Sequence, residues 1–204
     1  TSTRTSNLQV LALYSLQHQF VTAVNGVNYF PHEKNILYYQ FSYSKFPDKF
    51  WGLGKSAPDN AMEPYTFKQY YIFLHGQKRV ANKLFVGLIY EYQRLIQILY
   101  THGGLFDLQN VTGREGYHIS GSGLSLTYDS RNHAFVPDHG FFIQGSFNHF
   151  DPLIKSDFRF TNFVADLRSF VKISAHQVLA LQLYGFFNEG QVPLRSLATF
   201  GGSN

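Results

Sequence analysis

The chain has 204 residues, among them 14 Tyr, 21 Phe and a single Trp, while Asp, Glu, Lys and Arg together make up only 15%. It contains no Cys, which excludes disulfides and thiolate metal sites, and no run approaches the roughly 18 apolar residues of a transmembrane helix. The net charge of +4 is scattered without a basic cluster, which argues against a nucleic-acid partner.

Apolar residues alternate with small or polar residues through most of the chain, a pattern typical of β-strands that have one apolar face. In chain order, the pattern predicts nine strands: Leu8–Leu16, Phe20–Phe30, Ile36–Lys45, Tyr65–His75, Leu84–Gln93, Gly121–Tyr128, Phe141–Phe150, Phe158–Phe170 and Val178–Asn188. Their expected length of about 9–12 residues suits a tilted strand that crosses a hydrocarbon core, because soluble strands cluster near 5–6 residues.

The connections between these strands alternate in length. Phe46–Pro64 and Ile98–Tyr117 are predicted to be long loops, whereas Pro31–Asn35 and Gly76–Lys83 are predicted to be short turns and Asp129–Gly140 is intermediate. Counted along the chain, the long loops fall at one end of an up-and-down meander and the short turns at the other, as in outer-membrane barrels. The predicted fold is therefore all-β, an antiparallel up-and-down transmembrane β-barrel.

Nine strands are an unusual number for a closed bacterial barrel, since single-chain barrels have even strand numbers and an open edge in lipid leaves backbone groups unpaired. We therefore expect residues 1–204 to be a single, partial barrel domain. Alternation also predicts which faces meet lipid. The rows beginning at Leu37 and at Leu84 are predicted to face outward, and Gly87, Glu91, Asp166 and Arg168 to face the lumen.

Two motifs resemble those of a known family. Tyr128–Arg131 reads Tyr-Asp-Ser-Arg, and an aromatic-x-Pro-x-x-Gly turn follows at Phe135–Gly140. The end of the chain, GQVPLRSLATFGGSN, and the stretch Tyr43–Gly54 are similar as well. Together they resemble the bacterial surface-antigen family of outer-membrane barrels, which includes the BamA and TamA assembly proteins. The stretch Tyr43–Gly54 is similar to short Bacteroidetes-type members of the family in particular.

The resemblance implies a sixteen-stranded barrel in which the nine predicted strands are the third to the eleventh. It also implies that the chain ends at the start of an inward-folded loop, in the bacterial outer membrane. The implied function is to assist insertion or translocation of proteins or lipids, with outer-membrane lipid and client outer-membrane proteins or other envelope components as partners. A passive diffusion pore fits the alternation equally well, whereas a soluble lipid-binding barrel fits the period but not the strand lengths.

Candidate functional residues lie on the predicted polar face and at the end of the chain. Asp129 with Arg131, and Asp166 with Arg168, are each two residues apart and so share a strand face, where they could form ion pairs. Their alternatives are an ordinary charged turn and a solvated lumen lining. The resemblance adds the inward-loop residues Gly201, Gly202 and Asn204.

The segment Glu189–Asn204 is too apolar for a loop tip in water, and its Gly-Gly step permits a sharp turn. It is predicted to fold into the lumen against strands six to eight; the alternative is a lid over the barrel mouth. We expect no enzyme activity, cofactor or metal. Ser146 and Asn148 resemble part of a hydrolase triad, but alternation places His149 on the opposite strand face, out of hydrogen-bond reach.

Overall fold

The computed structural model describes residues 3–54 and 62–197. These residues form nine β-strands, one short α-helix and three single-turn 3₁₀ helices. The elements are β1 Asn7–Tyr14, β2 Phe20–Tyr29, β3 Asn35–Phe50, β4 Glu63–Ala81, β5 Leu84–Leu99, α1 Leu105–Leu108, β6 Tyr117–Asp129, β7 Gly140–Phe150, β8 Phe160–Ser174 and β9 Gln177–Gly190. No helix within these ranges has the length and apolarity that crossing a membrane requires.

Each strand pairs antiparallel with its neighbours in sequence, so one sheet runs in the order β1 to β9. This confirms the predicted all-β, up-and-down arrangement. In the described part of the chain, β1 and β9 are the two edges and do not pair with each other. We call the end with residues 30–34, 82–83 and 130–139 the short-turn end, and the end with residues 51–62 and 100–116 the long-loop end.

The sheet is strongly curved. Arg4 lies beside the end of β2, where the Ser6 hydroxyl accepts a hydrogen bond from the amide of Tyr29. Its guanidinium nevertheless reaches β6, with Arg4 Nη1 2.6 Å from Asp129 Oδ2. Four strand spacings of about 4.8 Å would separate β2 from β6 by about 19 Å in a flat sheet, which an arginine cannot bridge. The curvature gives the sheet a concave and a convex face.

Alternation assigns the side chains to these faces as predicted for β5. Val86 and Leu88 are exposed on the convex face, whereas Gly87, Ile89 and Gln93 are buried on the concave face. Polar atoms on the concave face pair with one another across strands, which explains why the sequence places small and polar residues there.

Several strands extend beyond their predicted ends, and their lengths run from 8 to 19 residues rather than about 9–12. The predicted turn Gly76–Lys83 is wrong, because β4 continues to Ala81 and only Asn82 and Lys83 form the turn. The run Gln77–Arg79 is polar and resembles a turn in sequence. In the structure it is the polar rim of a strand that still alternates between faces.

The long-loop predictions Phe46–Pro64 and Ile98–Tyr117 are too generous at their ends. β3 continues to Phe50 and β4 begins at Glu63, so the first loop comprises residues 51–62, of which 55–61 lie outside the described residues. The second comprises residues 100–116 and carries α1. Proline at positions 47 and 64 did not end the strands.

Candidate functional site on the concave face

An ion network covers the concave face at the short-turn end. Arg131 holds the Asp129 carboxylate with two parallel hydrogen bonds, Nε to Oδ1 and Nη2 to Oδ2, each 2.9 Å long. Arg4, beside the end of β2, donates a third hydrogen bond to this carboxylate. Both side chains of the predicted pair are largely buried: that of Asp129 is 4% exposed and that of Arg131 is 10% exposed. Bidentate pairs of this kind fix geometry as well as contributing energy.

Glu33 joins this network through Arg4 and Arg79. Its carboxylate accepts from Arg4 Nε at 2.8 Å and from Arg79 Nη2 at 3.0 Å. Burial by itself would lower the pKa of Arg4, but the hydrogen bonds to Glu33 and Asp129 outweigh it and raise that pKa above its ordinary value. The guanidinium therefore stays charged and ties the N-terminal segment to β6.

The second predicted pair lies in the same row. Arg168 Nε donates to both carboxylate oxygens of Asp166 at 3.0 Å, and Gln182 on β9 donates to the same carboxylate at 3.0 Å. The ring of Phe142 on β7 stands between the two pairs, with Arg131 4.6 Å and Arg168 5.4 Å from its centroid. The structure therefore joins two pairs that the sequence presented separately.

An open cavity of about 780 Å³ adjoins this network at the mouth of the concave face. Its wall combines the charged side chains with apolar ones from the β6–β7 connection, including Phe135 and Val136. Arg79 Nε is buried there without a hydrogen-bond partner.

Polar side chains also meet across the middle of the concave face. His75 on β4 and Ser125 on β6 are buried and hydrogen-bonded, with His75 Nε2 2.6 Å from Ser125 Oγ, although β5 lies between their strands. They can meet because β5 has Gly87 at this point. A Cβ there would lie 2.6 Å from His75 Nε2 and closer still to the Ser125 hydroxyl. Next to them, Gln77 donates to Thr127 at 2.8 Å.

The long-loop end is filled by apolar side chains instead. The connection that carries α1 folds over the concave face, and Glu63 holds it by accepting hydrogen bonds from the amides of Thr101 at 2.8 Å and Phe106 at 3.2 Å. The buried cluster comprises Phe50, Tyr65, Phe67, Leu95, Phe106, Val111, Tyr117, Ile119, Phe150 and Phe160. We call it the aromatic plug.

Residues 191–197 turn onto the concave face and pack against this plug. The guanidinium of Arg195 lies 4.7 Å from the centroid of Phe67 and donates to Asp48 at 3.1 Å, while Ser196 Oγ donates to Gln93 at 3.4 Å. The described residues 191–197 contact β3 to β5, and Tyr117 on β6 also lies close to Arg195 and Ser196. Residues 198–204 of the predicted segment Glu189–Asn204 lie outside the described residues, so its course against strands six to eight stays a prediction.

Three candidate residues, Gly201, Gly202 and Asn204, lie outside the described residues. His149, which alternation separates from Asn148, hydrogen-bonds Thr161 at 2.8 Å, whereas Asn148 donates to Glu91 on the concave face at 3.1 Å. Within residues 3–54 and 62–197, no group of three or more His, Cys, Asp or Glu side chains is arranged to hold a metal ion.

Comparison with known proteins assigns the family. The profile of the Omp85 superfamily domain matches residues 25–204. The chain belongs to the Omp85 superfamily. This confirms the resemblance to the surface-antigen barrels that the two motifs and the end of the sequence carry. No curated protein sequence matches the Omp85 chain.

A solved structure is also similar, the crystal structure of BamA from Haemophilus ducreyi lacking POTRA domains 1-3, with a TM-score of 0.52 and 14% identity. The match covers 90% of the Omp85 chain and 36% of the BamA chain. At this identity the likeness concerns the fold. The chain therefore spans about a third of the length of the structure that it matches.

Sequence reasoning missed three members of the ion network in this Omp85 chain: Arg4, Glu33 and Arg79. Their contacts depend on curvature, which brings distant strands together, and an alternating pattern contains no information on curvature. One signal was present. Arg79 occupies a concave-face position on β4, and a charge at such a position needs a partner.

Proposed function

We propose that this chain is part of an outer-membrane β-barrel that assists insertion or translocation of proteins, or lipids, at the bacterial outer membrane. Residues 1–204 contribute a partial barrel domain, with the short-turn end towards the periplasm and the long-loop end outside. Membership of the Omp85 superfamily and the BamA-like fold support this proposal. Its partners are lipid on the convex face and client outer-membrane proteins, and its action involves no bond chemistry.

The observation that carries the proposal is the course of residues 191–197 along the concave face. A passive pore needs an open, water-filled lumen, whereas here Arg195 is held over Phe67 within the aromatic plug. The large apolar side chains of the plug and α1 together narrow the long-loop end. These contacts favour a barrel whose inner segments support a moving or templating wall. They disfavour a diffusion pore.

The same observation gives the site residues their proposed roles. The Asp129–Arg131 and Asp166–Arg168 pairs brace β6 to β8 at the short-turn end, and Arg195 anchors the inward segment at the other end. The residues Gly201, Gly202 and Asn204 continue that segment in sequence and complete the proposed inward loop.

The experiment uses the full-length protein in proteoliposomes and measures how fast an unfolded client barrel acquires heat-modifiable gel mobility. Arg195→Ala removes one ion pair and one cation–π contact, together worth about 1–2 kcal/mol, so we expect the rate to fall about five- to thirtyfold. Arg159→Ala is the matched control, because Arg159 pairs with Asp151 at the same end but is 67% exposed.

Planar-bilayer conductance separates the two functions. Steady ion conductance by the wild-type protein, with no acceleration of client folding, would identify a passive pore and refute the proposal. Equal client-folding rates for Arg195→Ala and wild type would remove the inward segment from the mechanism.

A further inference from the structure

Three cations stand on the convex face near the long-loop end: Lys45 on β3, Lys68 on β4 and Arg94 on β5. We call them the outer cation cluster. Each cation lies two residues from a convex-face tyrosine of its own strand. Lys45 follows Tyr43, Lys68 precedes Tyr70, and Arg94 follows Tyr92. They therefore project from the lipid-facing side of the sheet and not into the lumen.

The pairing register makes this cluster electrostatically unfavourable by itself. Lys45 and Lys68 are direct cross-strand partners, and Arg94 is the partner of Tyr70, one diagonal step from Lys68. Like charges directly opposite each other destabilise a sheet. None of the ion pairs found among residues 3–54 and 62–197 involves these three cations.

A carboxylate lies near the cluster, but it pairs with a histidine and not with any of the three cations. His118 on β6 is the cross-strand partner of Arg94, and it is engaged by Asp157 at 3.0 Å. The rings of Tyr43 and Tyr70 pack beneath the two lysines with centroids 5.0 Å apart. The cluster thus has an aromatic floor and three cationic groups that form no ion pair within the described part of the chain.

The depth of the cluster matches a membrane surface. Lys68 and Lys78 lie ten residues apart on the convex face of β4, with Tyr70, Ile72, Leu74 and Gly76 between them. At about 3.3 Å rise per residue and a tilt of about 40°, they are about 25 Å apart along the membrane normal, the height of the apolar band of a barrel. Tyrosines directly below the cations mark the headgroup level.

We propose that the outer cation cluster binds the phosphate of a lipid headgroup in the leaflet at the long-loop end. A phosphate between the Lys45 and Lys68 ammonium groups replaces their repulsion with two charge-assisted hydrogen bonds, and the Arg94 guanidinium supplies a fork for a second oxygen pair. The acyl chains of the same lipid lie along the apolar rows below. The occupant is an anionic lipid, because a soluble phosphate would leave the aromatic floor and those rows uncovered.

Native mass spectrometry of the full-length protein in detergent measures the Kd for phosphatidic acid, with phosphatidylcholine as the neutral comparison. Each cation near an anionic headgroup is worth roughly a fivefold change in affinity. We expect Lys45→Gln, Lys68→Gln and Arg94→Gln each to raise the Kd for phosphatidic acid about fivefold, and the triple variant about hundredfold. The weaker adduct with phosphatidylcholine should not change. Lys78→Gln, on the same strand face at the opposite end, is the matched control and should bind normally.

A second variant moves two observables in opposite directions. Lys45→Glu creates an opposite-charge pair with Lys68, so the thermal unfolding temperature should rise while phosphatidic acid binding falls. Lys45→Arg keeps the charge and should preserve both. Heat-modifiable mobility verifies that each variant is folded.

Three results would overturn the proposal. These are an unchanged Kd in the triple variant, an equal loss in Lys78→Gln, or a lower unfolding temperature in Lys45→Glu. A competition experiment with inorganic phosphate distinguishes a lipid from a free anion. If inorganic phosphate displaces phosphatidic acid at equal concentration, the cluster binds the free anion and the assignment to a lipid is wrong.

Discussion

The hydrogen bond that crosses β5 at Gly87 can be tested by adding one methyl group. In Gly87→Ala, the new Cβ would lie 2.6 Å from His75 Nε2 and even closer to the Ser125 hydroxyl, inside van der Waals contact. The His75 ring cannot swing away freely, because it is stacked on Tyr38 with centroids 5.6 Å apart. The substitution must therefore break the bond or displace a strand.

Overpacking a tight site costs about 1–3 kcal/mol, and leaving a buried polar group unpaired costs about 1–3 kcal/mol. We expect Gly87→Ala to lower the free energy of unfolding by about 2–6 kcal/mol, measured by urea titration of the full-length protein in detergent. Removing the obstructing hydroxyl with Ser125→Gly should recover at least about 1 kcal/mol in the double variant. Gly76→Ala is the control, because a Cβ there meets no atom within 4 Å.

Equal stability of the Gly87→Ala and Gly76→Ala variants would mean that the added methyl group does not clash at Gly87. Simple addition of the effects of Gly87→Ala and Ser125→Gly would mean that the methyl group and the hydroxyl do not compete for the same space.

Other outcomes follow from the same structure. Asp129→Asn leaves two buried guanidinium groups without their shared carboxylate, so urea titration should show a loss of about 3 kcal/mol; a loss below 1 kcal/mol would contradict the burial seen here. Hydrogen bonds from Lys172 and His139 lower the pKa of the Asp138 carboxyl to about 2. The stability that these hydrogen bonds contribute is therefore present above pH 3.8 and is lost as the pH falls through about 2. Carboxyl NMR should show that midpoint, and a midpoint near 3.8 would mean the pairs do not form in solution. Protease added to intact cells should cut within residues 51–62 and spare residues 130–139; the reverse would invert the proposed topology.

Alternation predicted β5 to β7 well because there the two faces differ strongly in polarity along the whole membrane-crossing part. It failed at the long-loop end, where the polarity inverts. Phe50 and Phe67 point inward there, while Lys49 and Lys68 point outward. An expectation of apolar residues outside and polar residues inside classified the segment of Lys49 and Phe50 as a loop, although the two-residue period continues through it; the segment of Phe67 and Lys68 was correctly predicted as part of a strand.

The candidate site was predictable only where it is local. Asp129 and Arg131 could be paired from sequence because residues two apart share a strand face. The link from Arg131 through Phe142 to Arg168 required the register of three strands. The contact from Arg4 required curvature as well, and register and curvature arise from the whole sheet rather than from any one segment.

The inversion of polarity at the long-loop end has a thermodynamic consequence. The convex band is surrounded by hydrocarbon, so transferring its apolar side chains between protein and lipid gains little, and stability there depends on backbone pairing. The aromatic plug is enclosed by protein rather than by hydrocarbon, so it is governed by the hydrophobic effect as in a soluble domain. Opening the plug should therefore carry a positive heat-capacity change, and its strength should weaken on cooling while the band below is unaffected. One continuous sheet would then respond to temperature in two different ways along its height.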